Sequence, residues 1–132
     1  PKTGSATYSV AVSGAFSTPI QQKAYTLNGA NAGFTADFLN GQFQTWIDAI
    51  GRNMDDVSDT LDLGRWTGSG LIASDGSPGF HGMIWGDNNA AGLLSGAFFG
   101  PDAAEVGYGF YIETNKSPVP YIGFGRVVGR KD

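Results

Sequence analysis

Few side chains in this sequence could carry out chemistry. His81 is the only histidine, and there is no cysteine. A serine triad needs a histidine beside a serine on a strained turn, and the sequence has no G-x-S-x-G motif. A zinc site needs three or four close ligands, whereas only Asp87 lies near His81 along the chain. We expect no catalytic residue, no metal site and no bound cofactor, and we place His81 on the polar face of a strand.

Acidic residues cluster in residues 51–63, where Asp55, Asp59 and Asp62 could hold a cation. A calcium loop places oxygen ligands at alternate positions and a glycine at the sixth place, and this segment does neither. The segment therefore predicts a loop or a helical turn.

The remaining candidate groups do not indicate an enzyme either. Asp102 and Glu105 share one short turn, so they cannot face each other across a cleft as glycosidase carboxylates do. Two glycine pairs, GSG at 68–70 and GFG at 123–125, open no helix as phosphate-binding loops must. The function classes left are binding and structural ones.

The amino-acid composition limits the possible fold classes. A chain of 132 residues with 21 glycines, 13% aromatic and only 15% charged residues favours short strands joined by many turns. We predict one β-barrel domain over residues 1–132. The net charge is −4 and the few bases fall late, so no basic face exists for nucleic acid. No apolar run reaches the roughly 18 residues of a membrane helix, so we expect membrane contact only through a lipid anchor upstream of Pro1.

Alternating apolar residues predict strands along most of the chain. The first covers residues 6–13, and residues 20–27 could be an edge strand or a loop. Later strands are predicted at residues 65–73, 80–85 and 121–128. In each of them one set of alternate residues is apolar enough to face a core.

The strongest local signal is Asn40-Gly41 between two alternating runs. Both residues accept positive φ, which predicts a two-residue type I′ hairpin. Leu39 would then face Gln42, and the predicted pairs beyond it are Phe38 with Phe43, Ala36 with Thr45, and Phe34 with Ile47. All six of those residues would share one face, which fixes the register.

Residues 92–112, GLLSGAFFGPDAAEVGYGFYI, predict a strand, a tight helical corner and a second strand. Pro101 ends the first strand because it has no N–H to donate, and residues 102–105 can form one helical turn. We expect the glycines to relieve crowding and the phenylalanines to fill the interior. The structural motif comprises Gly96, Phe98, Phe99, Gly100, Pro101, Ala103, Glu105, Gly107, Gly109 and Phe110.

The predicted fold is all-β. Eight strands, or nine if residues 20–27 count, close most economically into an antiparallel up-and-down β-barrel with a short helical turn near 101–105. The many glycines permit the strong coiling of a small barrel. Enough rings face inward to predict a packed core rather than an open pocket.

The segment SGAFFGPDAAEVGYGF resembles the signature of the β-barrel domain shared by transferrin-binding protein B, factor H-binding protein and related Gram-negative surface lipoproteins. ATYSV, GFTADFLNGQF and YIGFGRVVG extend the resemblance over most of the chain. The sequence departs from the usual pattern at Tyr108, where the family commonly has a second glycine. The departure concerns local packing.

The resemblance implies an eight-stranded barrel, export to the cell surface or secretion, an N-terminal lipid anchor, and binding of host proteins or haem. No partner-contact motif of the family can be matched here residue by residue. The resemblance therefore implies a fold and a location, and it names no ligand.

Three functions remain open. The first is a non-enzymatic surface or secreted protein whose loops recognise a protein or solute partner, in iron or haem acquisition or host interaction, with Trp46, Trp85 or Tyr121 as exposed anchors. The second is a carrier barrel for a small ligand such as haem, with His81 or Tyr108 as axial ligand. The third is a structural module of a larger surface protein.

Overall fold

The structure, a computed structural model, describes residues 4–28, 31–116 and 119–132. Its elements are nine strands and one short 3₁₀ turn. In chain order they are β1 (Ser5–Thr18), β2 (Lys23–Thr26), β3 (Ala32–Asp37), β4 (Gln42–Asn53), β5 (Thr60–Ile72), β6 (Gly79–Trp85), β7 (Ala91–Phe99), the turn Pro101–Ala103, β8 (Glu105–Thr114) and β9 (Tyr121–Lys131). The all-β prediction is confirmed.

All nine strands form one antiparallel sheet that closes into a ring. From β3 onward each strand pairs with the next, and β9 returns to pair with β1 from Tyr8↔Lys131 to Ser17↔Ile122. β2 and β3 both lie between β1 and β4, so together they occupy one position of the barrel. The uncertain run at residues 20–27 thus contains a short strand, and the barrel has nine strands in eight positions.

The hairpin between β3 and β4 has a longer loop than the sequence predicted. Phe34 pairs with Thr45 and Ala36 with Phe43, so the register is two residues away from the predicted one and the loop spans residues 38–41. Gly41 has φ +66°, whereas Asn40 does not have positive φ, which excludes a type I′ turn. The Asp37 carboxylate accepts hydrogen bonds from the Asn40 backbone N–H at 3.1 Å and from its side-chain amide at 2.7 Å. A shift by two keeps every side chain on its predicted face.

The loop within the acidic segment at residues 51–63 is also shorter than predicted. The segment's first three residues finish β4 and its last four begin β5, and Gly51 pairs with Leu61 across the two strands. Only residues 54–59 form a loop. Asp55, Asp56 and Asp59 lie in this loop, whereas Asp62 is exposed on β5.

Aromatic rings fill the barrel interior. Near the end that carries the 3₁₀ turn, Tyr8 meets Phe34 edge-on at 5.6 Å between ring centroids, and Phe43 lies 4.8 Å from Phe80. Towards the other end, Trp66 stacks on Tyr121 at 5.9 Å. Tyr108 and Phe110 connect the two groups, with Phe110 at 6.3 Å from Tyr108 and 5.9 Å from Trp66. The packed core predicted from the sequence is therefore observed.

Within the described ranges, no helix has the length and apolar character needed to span a membrane.

Candidate functional site

The corner between β7 and β8 packs against one end of the barrel and is held there by backbone groups. Gly100 enters it with φ +77°, and Asp102 and Ala103 have φ +53° and +55°. Ala103 is fully buried, and its carbonyl oxygen accepts a hydrogen bond from the Tyr8 hydroxyl at 2.7 Å. The Lys131 backbone N–H donates to the Ala104 carbonyl at 2.8 Å. The corner thereby joins the first and last strands.

The motif residues on the two flanking strands divide between the two faces of the wall. Gly96, Phe98 and Phe110 lie on the inner face, as expected. Phe99 is 54% exposed on the outer face, so the expectation that every phenylalanine here fills the interior is wrong for it. An added Cβ at Gly107 would have its nearest neighbour at 3.5 Å, an ordinary contact, so Gly107 relieves no crowding. The same holds for Gly109, where that distance is 3.8 Å.

Tyr108 lies inside the barrel, where its hydroxyl is 2.7 Å from the Thr45 hydroxyl. The Thr45 hydroxyl donates to the Gly33 carbonyl at 2.8 Å, which leaves the Tyr108 hydroxyl as donor to Thr45. Burial raises the Tyr108 pKa to about 12, because a phenolate there would lose its hydration. This tyrosine is a hydrogen-bonded part of the core.

That environment makes stability depend on pH in alkaline solution. The folded chain keeps Tyr108 protonated between pH 10 and about 12, whereas the unfolded chain ionises there. The contribution of Tyr108 to stability is therefore fully present below pH 10 and is lost as the pH rises towards 12, by about 2–3 kcal/mol at about 1.4 kcal/mol per pKa unit. Urea unfolding of wild type and Tyr108→Phe at about pH 8 and about pH 11.5 measures this loss.

Burial also raises the pKa values of Tyr8 and Tyr121, so both proteins keep some of the alkaline loss. The variant should lose less than wild type, and the difference belongs to Tyr108. An equal loss in the two proteins would contradict the assignment.

The two haem-ligand candidates lie on opposite sides of the barrel wall. His81 is exposed on the outer face of β6, and Tyr108 packs among interior rings, with Phe34 at 6.0 Å and Phe80 at 6.3 Å. The structure does not bring them together, and Tyr108 has a protein partner for its hydroxyl. Among the described side chains, no group of three or more histidine, cysteine, aspartate or glutamate residues could hold a metal ion.

Asp59 organises the loop at residues 54–59. Its Oδ2 accepts hydrogen bonds from the Asn53 amide at 3.0 Å and the Tyr25 hydroxyl at 3.1 Å, and it lies 3.4 Å from Lys23 Nζ. These donors, the Asn53 amide first, hold the pKa of the Asp59 carboxyl below its usual value. The Met54 backbone N–H donates to the Ala24 carbonyl at 2.9 Å. The carboxylate that invited a calcium interpretation instead fixes this loop to β2.

We call the barrel end that carries this loop the loop end; it comprises the connections at residues 19–22, 54–59 and 86–90 and the described part of 115–120. Two neighbouring connections there expose large apolar side chains. Ile20 is 77% exposed, Val57 71% and Met54 54%. Asp55 and Asp56 are exposed beside them. The sequence does not indicate this surface, because the two connections become neighbours only through the β2–β4 pairing.

The barrel wall carries a second apolar surface, which we call the apolar face. Nine large apolar side chains point outward from β5 to β9, each between 42% and 58% exposed. They are Leu71, Met83, Trp85, Leu93, Phe99, Tyr111, Ile122, Phe124 and Val128. Four of them form a row across β6 to β9, because Met83 pairs with Leu93, Leu93 with Tyr111, and Tyr111 with Phe124. In the sequence, these strands have apolar residues at outward as well as inward positions, which indicates an apolar outer surface. Only the strand register shows that the outward residues lie side by side.

The three rings proposed as exposed anchors have different environments. Trp85 is exposed on the apolar face. Trp46 is half-buried, with the Arg65 guanidinium 4.0 Å above its ring, and Arg65 is itself held by Asp48 at 2.8 Å. Tyr121 is 3% exposed and accepts a hydrogen bond from Trp66 Nε1 at 2.9 Å. Tyr121 is therefore a core residue, and its assignment as an exposed anchor is wrong.

No protein family model matches the sequence. No curated protein matches it in sequence either.

Solved structures of transferrin-binding protein B, in contrast, match the whole barrel. A mutant of the Haemophilus parasuis protein covers 99% of this chain at 20% identity with a TM-score of 0.65. The isotype 1 protein of serogroup B Neisseria meningitidis covers 100% of it at 14% identity with a TM-score of 0.66. Intact Ap-TbpB, with its N and C lobes, covers 100% at 18% identity with a TM-score of 0.61.

The chain spans only about a quarter of these structures, namely 26%, 26% and 28% of their lengths. At such identities the likeness concerns the fold. The nine-stranded closed sheet, its helical corner and the match along the whole chain agree with the resemblance seen in the sequence. The chain therefore has the β-barrel fold seen in transferrin-binding protein B.

Proposed function

We propose that this barrel is a non-enzymatic binding protein that recognises a protein partner through its loop end. The observation that carries the proposal is the pair of exposed apolar connections there, with Ile20 and Val57 more than 70% exposed. Exposed apolar side chains of this size mark protein interaction sites when they occur together. The fold supports the proposal, because the solved proteins that share it are named for binding transferrin.

The interior supports an external binding site. Stacked and edge-on rings occupy the barrel from the corner to the loop end, including Trp66, Phe110 and Tyr108. Ligand-carrying barrels need an interior that side chains leave open. Recognition is therefore expected outside the barrel, and the carrier hypothesis with Tyr108 as a haem ligand loses its site.

The chemistry of the loop end indicates the partner. Its apolar side chains stand beside the exposed carboxylates of Asp55 and Asp56, in a protein whose net charge is −4. A partner surface that is apolar at its centre and basic around it would match both features. The Asp59 hydrogen bonds hold the 54–59 loop in place before binding, which lowers the entropy cost of association.

The double variant Ile20→Ser/Val57→Ser tests the loop end. Wild-type chain is immobilised and exposed to serum, and the retained proteins are identified by mass spectrometry. We expect a retained serum protein whose affinity falls at least about 10-fold in the double variant, because two anchors are lost from one contact. Titration of that purified protein by calorimetry measures the change.

Leu39→Ser is the matched control, because Leu39 is 74% exposed at the opposite end of the barrel. It should bind like wild type. Equal retention by the double variant would contradict a loop-end site. Retention of no protein would favour the structural module, and a Soret band on adding haem, lost in His81→Ala or Tyr108→Phe, would favour the carrier.

We also propose that the chain works outside the cytoplasm, on the cell surface or as a secreted protein, with any lipid anchor upstream of Pro1. The resemblance to surface lipoproteins supports this location. Protease treatment of intact cells that express the natural gene, followed by immunoblotting, tests it. A chain protected from protease until the cells are lysed would contradict surface display.

A further inference from the structure

The apolar face lies on the wall from β5 to β9, whereas the side chains proposed to bind the partner lie on the 19–22 and 54–59 connections, so the proposed partner site does not account for it. Nine large side chains at about half exposure, each with roughly 180 Å² in full, leave on the order of 800 Å² of apolar surface open. Monomeric proteins rarely expose a largest patch above about 300–600 Å², and a standard interface covers about 800 Å² per partner. The total, which is distributed around the wall from β5 to β9, is comparable with the area that one partner buries in a standard interface.

The charges on this face argue for a particular occupant. The protein has a net charge of −4, yet the strand rows beside the apolar row carry one acid, Glu113, and one base, Arg126, both exposed. A nucleic acid or an anionic membrane needs a basic surface, which this face does not provide. A second copy of the same neutral face would meet no like-charge repulsion.

The register places these two charges symmetrically about the apolar row. Glu113 lies two residues from Tyr111 on β8, beside Ile122 of β9. Arg126 lies two residues from Phe124 on β9, beside Gly109 of β8, and so falls on the other side of the row. An axis of two-fold symmetry along the row would bring Glu113 of one copy over Gly109 of the other, one strand away from Arg126. The reciprocal pair forms by the same operation.

We propose that the barrel self-associates as a two-fold symmetric dimer through the apolar face, with the Met83–Leu93–Tyr111–Phe124 row at its centre. In this dimer the four row side chains meet their own counterparts. Two Glu113–Arg126 pairs flank them and fix the register of one copy on the other. The dimer leaves both loop ends open, so it is independent of the proposed partner site.

Exchanging the two charges distinguishes the specific dimer from non-specific hydrophobic association. Sedimentation velocity over micromolar to submillimolar concentrations should show a monomer–dimer equilibrium for wild type. Glu113→Arg and Arg126→Glu should each weaken dimerisation about 10-fold, because both pairs become repulsive. The double exchange should restore it. An equimolar mixture of the two single variants should form heterodimers more strongly than either variant alone, since both pairs are then attractive.

Leu93→Lys, which places a charge in the row, should reduce dimerisation at least about 100-fold. Leu39→Lys, an exposed control outside the face, should not change it. Near-ultraviolet circular dichroism confirms that each variant is folded. A wild-type chain that stays monomeric over the whole range overturns the proposal, as does a mixture of the two charge variants that associates no better than its components.

Discussion

Replacing Trp66 by alanine should lower the free energy of unfolding by about 3–5 kcal/mol. Trp66 has no exposed surface, stacks on Tyr121 and meets Phe16 and Phe110 edge-on. Its Nε1–H also donates to the Tyr121 hydroxyl at 2.9 Å. The truncation would remove ring contacts and leave a buried hydroxyl without its donor. Equilibrium urea unfolding followed by circular dichroism measures the loss, which could leave the chain unfolded at 37 °C.

Trp85→Ala is the matched control, because it makes the same truncation on the outer face, where Trp85 is 42% exposed. Its cost should be below about 1 kcal/mol. Trp66→Phe should fall between, at about 1–2 kcal/mol, since it keeps a ring but loses the hydrogen bond. Equal costs for Trp66→Ala and Trp85→Ala would show that the interior is not packed around Trp66.

Gly96→Ala should cost about 3 kcal/mol or more, although it adds only one methyl group. The new Cβ would lie 2.0 Å from the Gly107 carbonyl oxygen and 2.6 Å from the Tyr108 Cα, so the backbone of β8 would have to move. Urea unfolding gives the change in stability. Hydrogen exchange of the β7–β8 ladder shows whether the strands separate.

Gly107→Ala makes the same change on the facing strand, where the nearest neighbour would be 3.5 Å away. The backbone there does not have positive φ, so this variant should be neutral or more stable by about 0.4–1 kcal/mol, through the reduced freedom of the unfolded chain. The changes in the free energy of unfolding caused by Gly96→Ala and Gly107→Ala should therefore have opposite signs or, where Gly107→Ala is neutral, differ by about 3 kcal/mol. Similar losses at both positions would contradict the packing described here.

Side-chain alternation predicted the faces of the strands well, because the two-residue period is local. Phe34 and Ala36 face inward as expected even though their partners differ from the predicted ones. The predicted register was wrong because the Asp37 carboxylate accepts hydrogen bonds from Asn40 and stabilises a four-residue loop. Asn40-Gly41 alone favoured a shorter turn, so a side-chain interaction outweighed the backbone preference of the dipeptide.

The surfaces proposed for binding could not be predicted, because they depend on pairing between distant residues. Tyr111 and Phe124 are recognisable as outward residues from alternation, but their place in one row follows from the register of β8 and β9. Asp59 was noticed for its charge, and its role depends on Tyr25 of β2. Tyr108, the departure from the family pattern, is compatible with the barrel because its hydroxyl donates a hydrogen bond to the Thr45 hydroxyl and Gly96 faces it across the ladder.

The pairing of β1 with β9 has a consequence for how the chain folds. It brings Ser9 into hydrogen-bonding contact with Asp132, which is 123 positions away in sequence. Contacts between residues so far apart in sequence form slowly, because the entropy cost of closing the long loop between them comes before the contact can stabilise the fold. During synthesis, β1 would leave the ribosome long before its partner exists, with one edge open to other chains. Any factor that protects the first strand until β9 arrives would therefore raise the yield of folded barrel.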